Sequence, residues 1–267
     1  MSVAKPVNQL VAFFALAFAL TWGIWFPMAI AFPSIKILHL LGALGPMVAA
    51  LIMAVVADRK EGLKEILKSA MRWRVPLKWY GIAVLVPFAF LVIAITIERF
   101  LNFPMPKFAD LLQTTEFGSL GLLYWVASIV FYGFGEEVGW RGFALPKLVA
   151  AGLDPAKSSA IFSLFWALWH LPLFFYGALL GSMSPLMIVG WYLSLLLSSY
   201  LITWIWQSSG RSIFIVALFH GVVDIVMTSR AAIGPPVIIM NALLLLWGFV
   251  IVKTTAPDLG RQSTPTH

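Results

Sequence analysis

A chain of 267 residues that is 61% hydrophobic and only 11% charged has too little polar surface to cover a soluble globule, so it reads as an integral membrane protein. Its formal net charge of +7 would suit nucleic acid, but the basic residues stand between apolar runs rather than on one continuous face. There is no cysteine, which excludes disulfides, thiolate metal sites and a cysteine nucleophile.

In chain order, apolar runs long enough to cross lipid occur at about Asn8 to Phe32, Ile37 to Ala57, Trp79 to Ile97, Gly118 to Pro146, Ser158 to Leu180, Pro185 to Gln207, Ser212 to Thr228 and Pro235 to Val252. Inside a bilayer no water satisfies open backbone groups, so each run is expected to be helical, and the alternation that a barrel needs is absent. The expected fold is therefore all-α, a single polytopic transmembrane domain over residues 1–267 with about eight helices. The first run is longer than a signal-peptide core and ends without a clear cleavage site, so it should stay as an anchor. Between the second and third runs, Leu63, Ile66, Leu67, Ala70 and Met71 recur at helical spacing against a charged face. This predicts a helix in the cytoplasmic interface over about residues 59–74, drawn to anionic lipid. Pro104 and Pro106 mark a loop from Asn102 to Glu116, and a polar tail over about residues 254–267 is expected to be disordered. Trp22, Trp25, Trp79, Trp140, Trp206 and Trp247 lie mostly near the ends of the runs and read as interface anchors.

Of the 18 lysines and arginines, only Lys36, Arg99, Lys107 and Arg230 fall on the face away from the N-terminus. The excess of positive charge on the other face predicts that both termini are cytoplasmic.

Within the last five runs the ionisable side chains are Glu136, Glu137, Arg141, His170, His220 and Asp224. In hydrocarbon such groups cost several kcal/mol unless they are paired or wet, so they point to function. Counted at 1.5 Å per residue from the cytoplasmic ends of their helices, Glu136 lies at about 15 Å, His170 at about 18 Å, His220 at about 13 Å and Asp224 at about 19 Å. They can therefore meet at one level, in a cytoplasm-facing polar cavity formed by helices four to seven, the catalytic core being about residues 118–228. Gly135 and Gly139, with Gly133 and Gly142 beside them, let a neighbouring helix approach the acidic pair, and Pro172 should kink the chain just after His170.

A carboxylate and an imidazole sharing a water make a hydrolytic centre, and a second histidine with Asp224 can serve an oxyanion. Alternatively Glu136, His170, His220 and Asp224 offer the nitrogen and oxygen ligands of a divalent ion such as Zn2+. Neither HExxH nor GxSxG is present, so the zincin and serine-hydrolase readings have no support. Glu137 and Arg141, at i and i+4, read equally well as a structural ion pair. His39, Glu98, Arg99 and His267 are expected to be incidental, and Ser198 and Ser199 to bond to backbone carbonyls.

The pattern EExxxR at Glu136, Glu137 and Arg141, then a histidine in an FxxxH position at His170, then HxxxN or HxxxD at His220 and Asp224, resembles the CPBP family. This is the group of CAAX-processing proteases and bacteriocin-processing or immunity (Abi) proteins, similar to the type II CAAX prenyl endopeptidase. The resemblance spans about Gly118 to Thr228, with the three motifs in the family's order. It implies an eight-helix intramembrane endopeptidase in which Glu136 and His170 activate water, His220 and Asp224 stabilise the oxyanion, and Glu137 and Arg141 hold the first glutamate in place. The family is often described as metalloproteases, so the cofactor is either none or a single divalent metal. Trp166 stands where the family usually has phenylalanine, a swap that keeps an aromatic wall, and Asp224 replaces the commoner asparagine. The implied substrate is a lipidated or hydrophobic, membrane-associated protein or peptide. Membrane lipid is the other partner; no nucleic acid and no stable protein partner are expected, and the location is the cell membrane if the source is bacterial. Two other functions stay open: a proton-linked transporter using the buried carboxylates as relays, and a non-catalytic immunity or scaffold protein of the same fold.

Overall fold

A computed structural model describes residues 4–261 apart from 33–34, 115–117, 120 and 178–179. The long apolar runs satisfy their own backbones as helices: α1, Ala4–Ala31; α2, Ile37–Ala43; α3, Gly45–Ala70; and α4, Lys78–Phe100. They continue as α5, residues 122–150; α6, Pro155–Trp169; α7, Leu173–Tyr176; α8, Pro185–Ser208; α9, Ile213–Thr228; and α10, Pro235–Arg261. The remainder of the tail, residues 262–267, lies outside the described residues.

Among the described residues, six helical spans are long and apolar enough to cross a membrane, against the eight expected. The other two expected runs are helical but fall short for physical reasons. The α9 helix has only 16 residues, and α5 carries Glu136, Glu137 and Arg141 and winds as alternating α and π turns. The protein is an all-α polytopic membrane protein. Among the described residues its sheet is confined to one hairpin in the loop after α4, Gln113–Thr114 against Gly118–Ser119. Thr114 also bridges to Ser229, which ties this loop to the end of α9.

Helix α5 runs through the middle of the bundle because its glycines admit backbone on two sides. A Cβ on Gly139 would lie 2.5 Å from Pro46 of α3, and one on Gly133 would lie 2.2 Å from the carbonyl of Ala217 in α9. The chain bends at Arg59, which has a φ of 57°, and the rest of α3 crosses the end of the bundle. There Gly62 and Ile66 are buried while Leu67 and Met71 are 47% and 73% exposed. Ser69 Oγ donates to the carbonyl of Arg211, and Ser212 Oγ donates to that of Arg72 at 2.6 Å, so this stretch is pinned to the α8–α9 turn. At the far end of α6, Pro172 cannot donate to Leu168, whose carbonyl accepts from Leu171 instead at 3.0 Å, and the helix breaks at His170 before α7.

These connections define two ends. The basic end carries the α3–α4, α5–α6 and α8–α9 connections; the loop end carries the α1–α2, α4–α5, α7–α8 and α9–α10 connections.

Candidate active site

Successive residues on a helix point about 100° apart, so Glu136 and Glu137 face different neighbours. Glu136 Oε2 accepts from the indole Nε1 of Trp166 at 2.7 Å and of Trp140 at 3.3 Å. Glu137 Oε1 accepts from an Arg141 guanidinium nitrogen at 2.9 Å and from His220 Nδ1 at 2.8 Å. Both members of the Glu137–Arg141 pair are fully buried. The guanidinium also reaches the Ser199 carbonyl at 3.3 Å and lies over the rings of Phe162 and Trp166.

The two histidines are held through their Nδ1 atoms. His170 Nδ1 lies 2.7 Å from the Trp166 carbonyl, an acceptor, so Nδ1 must carry the proton and Nε2 of the neutral ring is left with a lone pair. His220 Nδ1 is likewise committed to Glu137, and its Nε2 lies 3.7 Å from Asp224 Oδ2. Asp224 is placed one turn beyond His220 on α9, whose far end is fastened by Tyr124 donating to the Asp224 carbonyl at 3.1 Å.

Glu136, His170, His220 and Asp224 line one cavity of about 190 Å³, together with Trp25 of α1 and His39 of α2. Its outer rim is formed by Thr114, Gly177, Leu180 and Thr228, all at the loop end. Glu137, Arg141 and Trp166 stand behind this wall rather than in it.

Several sequence expectations change. The cavity was expected on the side of the basic connections and from helices four to seven alone, whereas it opens at the opposite end and takes walls from α1 and α2. Glu137 and Arg141 hold His220, not Glu136. Trp166 is more than an aromatic wall, because its N–H is the nearest hydrogen-bond donor to Glu136. Trp140 and Trp25, expected as interface anchors, are 0% and 1% exposed. His39, expected to be incidental, lines the cavity, with Nδ1 2.8 Å from the Tyr176 hydroxyl. Nothing in its local sequence marks it, since α2 reaches the site only through tertiary packing.

The donors proposed for a divalent ion line one cavity without forming a closed cluster. Among the described residues no three His, Asp or Glu side chains are grouped so as to hold a metal ion. Glu136 Oε2 is turned to two indoles and the Nδ1 atoms of both histidines are committed to protein acceptors, so the donors left for an ion are Glu136 Oε1, the two Nε2 atoms and the Asp224 carboxylate.

Residues 118–226 match the family model for Type II CAAX prenyl endopeptidase Rce1-like. Over 121 residues the chain is 31% identical to a curated protein of Methanococcus maripaludis, "CAAX prenyl protease 2". That match covers 44% of this chain and 44% of the relative, so it spans less than half of either protein. The chain is thus similar to the type II CAAX prenyl endopeptidases over α5 to α9, the stretch that supplies the four motif residues of the cavity and the buried ion pair behind them.

Proposed function

We propose that this protein is an intramembrane endopeptidase of the CAAX type, hydrolysing a peptide bond in a lipidated or hydrophobic membrane-associated substrate. The observation that carries the reading is that Glu136 and His170 line one cavity, each with one polar atom tied to the protein. Glu136 Oε2 is held by Trp166, and His170 Nδ1 by the Trp166 carbonyl, so one tryptophan positions both groups. The untied atoms, Glu136 Oε1 and His170 Nε2, are left to share a water.

In the proposed reaction that water attacks the scissile carbonyl carbon and gives its proton to Glu136 or His170. The carbonyl oxygen takes up the negative charge. His220, its Nδ1–H held by Glu137, donates from Nε2 in its protonated form, and this stabilises the oxyanion. The carbon–nitrogen bond then breaks as the leaving amine takes the abstracted proton, leaving an acid and an amine. Asp224 orients His220 from beside it. No step of this reaction is routed through a divalent ion. The aromatic walls formed by Trp25, Tyr132 and Trp169 suit an apolar chain.

The test is cleavage by pure protein in liposomes of two peptides, one with a prenylated CAAX terminus and one hydrophobic and unmodified. In water enriched in oxygen-18, the reading expects an internal cleavage product whose new carboxylate carries one heavy oxygen. Folded protein that cuts neither peptide would contradict it.

A further inference from the structure

A second cavity, of about 600 Å³, lies at the basic end between α5, the part of α3 beyond Arg59 and the α8–α9 turn. None of Glu136, His170, His220 and Asp224 lines it, and its volume is that of an ordinary ligand site.

The charges around it do not balance. Of the cations in its lining, Arg141 is paired with Glu137, and Lys147 with Asp58 at 2.6 Å. Lys68, Arg72 and Arg211 form no ion pair among the described residues, and Glu65 is the one carboxylate left to face them. Three cations against one carboxylate leave an excess of two positive charges. Free side chains would spread apart, but here the backbones that carry them are fastened together. Ser69 Oγ donates to the Arg211 carbonyl, and Ser212 Oγ donates to the Arg72 carbonyl at 2.6 Å. Arg72 Nη1 lies 3.5 Å from where a Cβ of Gly210 would stand, beside Arg211, whose own guanidinium lies 5.6 Å over the Trp206 ring. An anion between them offsets the repulsion.

The deep wall lacks acceptors as well. Arg141 and Trp206 line the cavity at 0% and 6% exposure, and neither Arg141 Nε nor Trp206 Nε1 has a hydrogen-bond partner among the described residues. Buried N–H groups are normally satisfied, and a ligand rich in oxygen, seated against this wall, supplies what is missing. Two guanidinium forks and an ammonium match a phosphate group.

The neighbouring residues indicate which molecule brings the phosphate. Leu67, Met71, Trp73 and Leu77, interleaved in sequence with Lys68, Arg72 and Arg74, are all exposed. Apolar side chains left bare at one end of a membrane protein lie in lipid, which puts the cations beside them at headgroup level.

We propose that the cavity between α3, α5 and the α8–α9 turn binds the phosphate headgroup of an anionic phospholipid, held by Lys68, Arg72 and Arg211. A headgroup there fastens the end of α3 to the α8–α9 turn by charge, in addition to the two serine hydrogen bonds. The proposal makes no use of the peptidase reading.

The test is thermal unfolding of the full-length protein in nonionic detergent, titrated separately with short-chain phosphatidylglycerol, short-chain phosphatidylcholine and inorganic phosphate. Phosphatidylglycerol should raise the midpoint saturably, and the other two should raise it far less. Arg72→Gln and Arg211→Asn should each weaken the apparent affinity for phosphatidylglycerol roughly tenfold, each read against its own midpoint without lipid. Asparagine is chosen because Arg211 has a φ of 63°, which that residue accepts. Lys68→Gln removes a charge from an exposed position, so it should show the same loss of affinity even where an arginine variant fails to fold. Lys60→Gln and Lys64→Gln, cations of α3 outside the cavity, should bind as the wild type does. A midpoint that phosphatidylglycerol does not raise saturably would overturn the proposal, as would equal affinity in the cavity variants and in these two. Inorganic phosphate that matches the effect of phosphatidylglycerol would overturn the lipid as the occupant. Because the readout is stability, failure of the peptidase reading would leave these results unchanged.

Discussion

Glu136 and Glu137 are identical side chains on consecutive residues, yet one faces a cavity that can hold water and the other is sealed in a dry ion pair. The front region, with Glu136, His170 and Asp224, has polar atoms left for a substrate. The back region, with Glu137, Arg141 and Ser199, is tied to the protein through Glu137 Oε1 and the terminal guanidinium nitrogens of Arg141. The contrast teaches that one turn of helix can serve both chemistry and support, and that the i, i+4 relation sorts the roles. Four residues after Glu137 comes Arg141, its ion partner; four after Glu136 comes Trp140, an indole donor.

The back region should be where substitutions cost most stability. Arg141→Ala leaves Glu137 buried without its cation, and the loss should be about 3–5 kcal/mol, read as a lowered thermal unfolding midpoint in detergent. Unchanged stability would mean that the back region is wetter than it looks. At the junction of the two regions, Trp166→Phe keeps the ring but removes the 2.7 Å donor to Glu136. The loss of one hydrogen bond to a charged group, about 1.5–3 kcal/mol, should slow cleavage by roughly tenfold or more with little effect on folding. Full retention of activity would show that Trp140 alone suffices. The smallest effect belongs to the front rim. Asp224 is 28% exposed and 3.7 Å from His220, so Asp224→Asn should change cleavage by no more than the worth of a weak ion pair, about 0–1 kcal/mol. A hundredfold loss in the initial rate would instead place Asp224 among the groups that touch the reacting atoms.

Much of this was legible in the chain. The starts of α8 at Pro185 and α10 at Pro235, and the end of α9 at Thr228, coincide with the expected bounds because proline and polar residues punctuate the apolar runs there. The break after His170 followed from Pro172. The direction of the opening was not legible, because depth was counted only from the basic end. Side chains near the middle of a span are about as far from either surface, and only the rim residues Thr114, Gly177, Leu180 and Thr228 show which way the cavity faces. Trp140 was misread because the run was ended at Pro146, whereas α5 continues to Ala150 and places that indole well inside. His39 was invisible to spacing, since only the packing of α2 against α5 brings it to the cavity.

The claim that Glu136 works on the substrate while its neighbour works on the fold is tested most directly by Glu136→Gln, purified and assayed beside the wild type with the product identified by mass. The amide still accepts from Trp166, so the unfolding midpoint should not move, while peptide cleavage should fall by about 10²–10⁴-fold. Cleavage at the wild-type rate by a correctly folded Glu136→Gln protein would contradict the account.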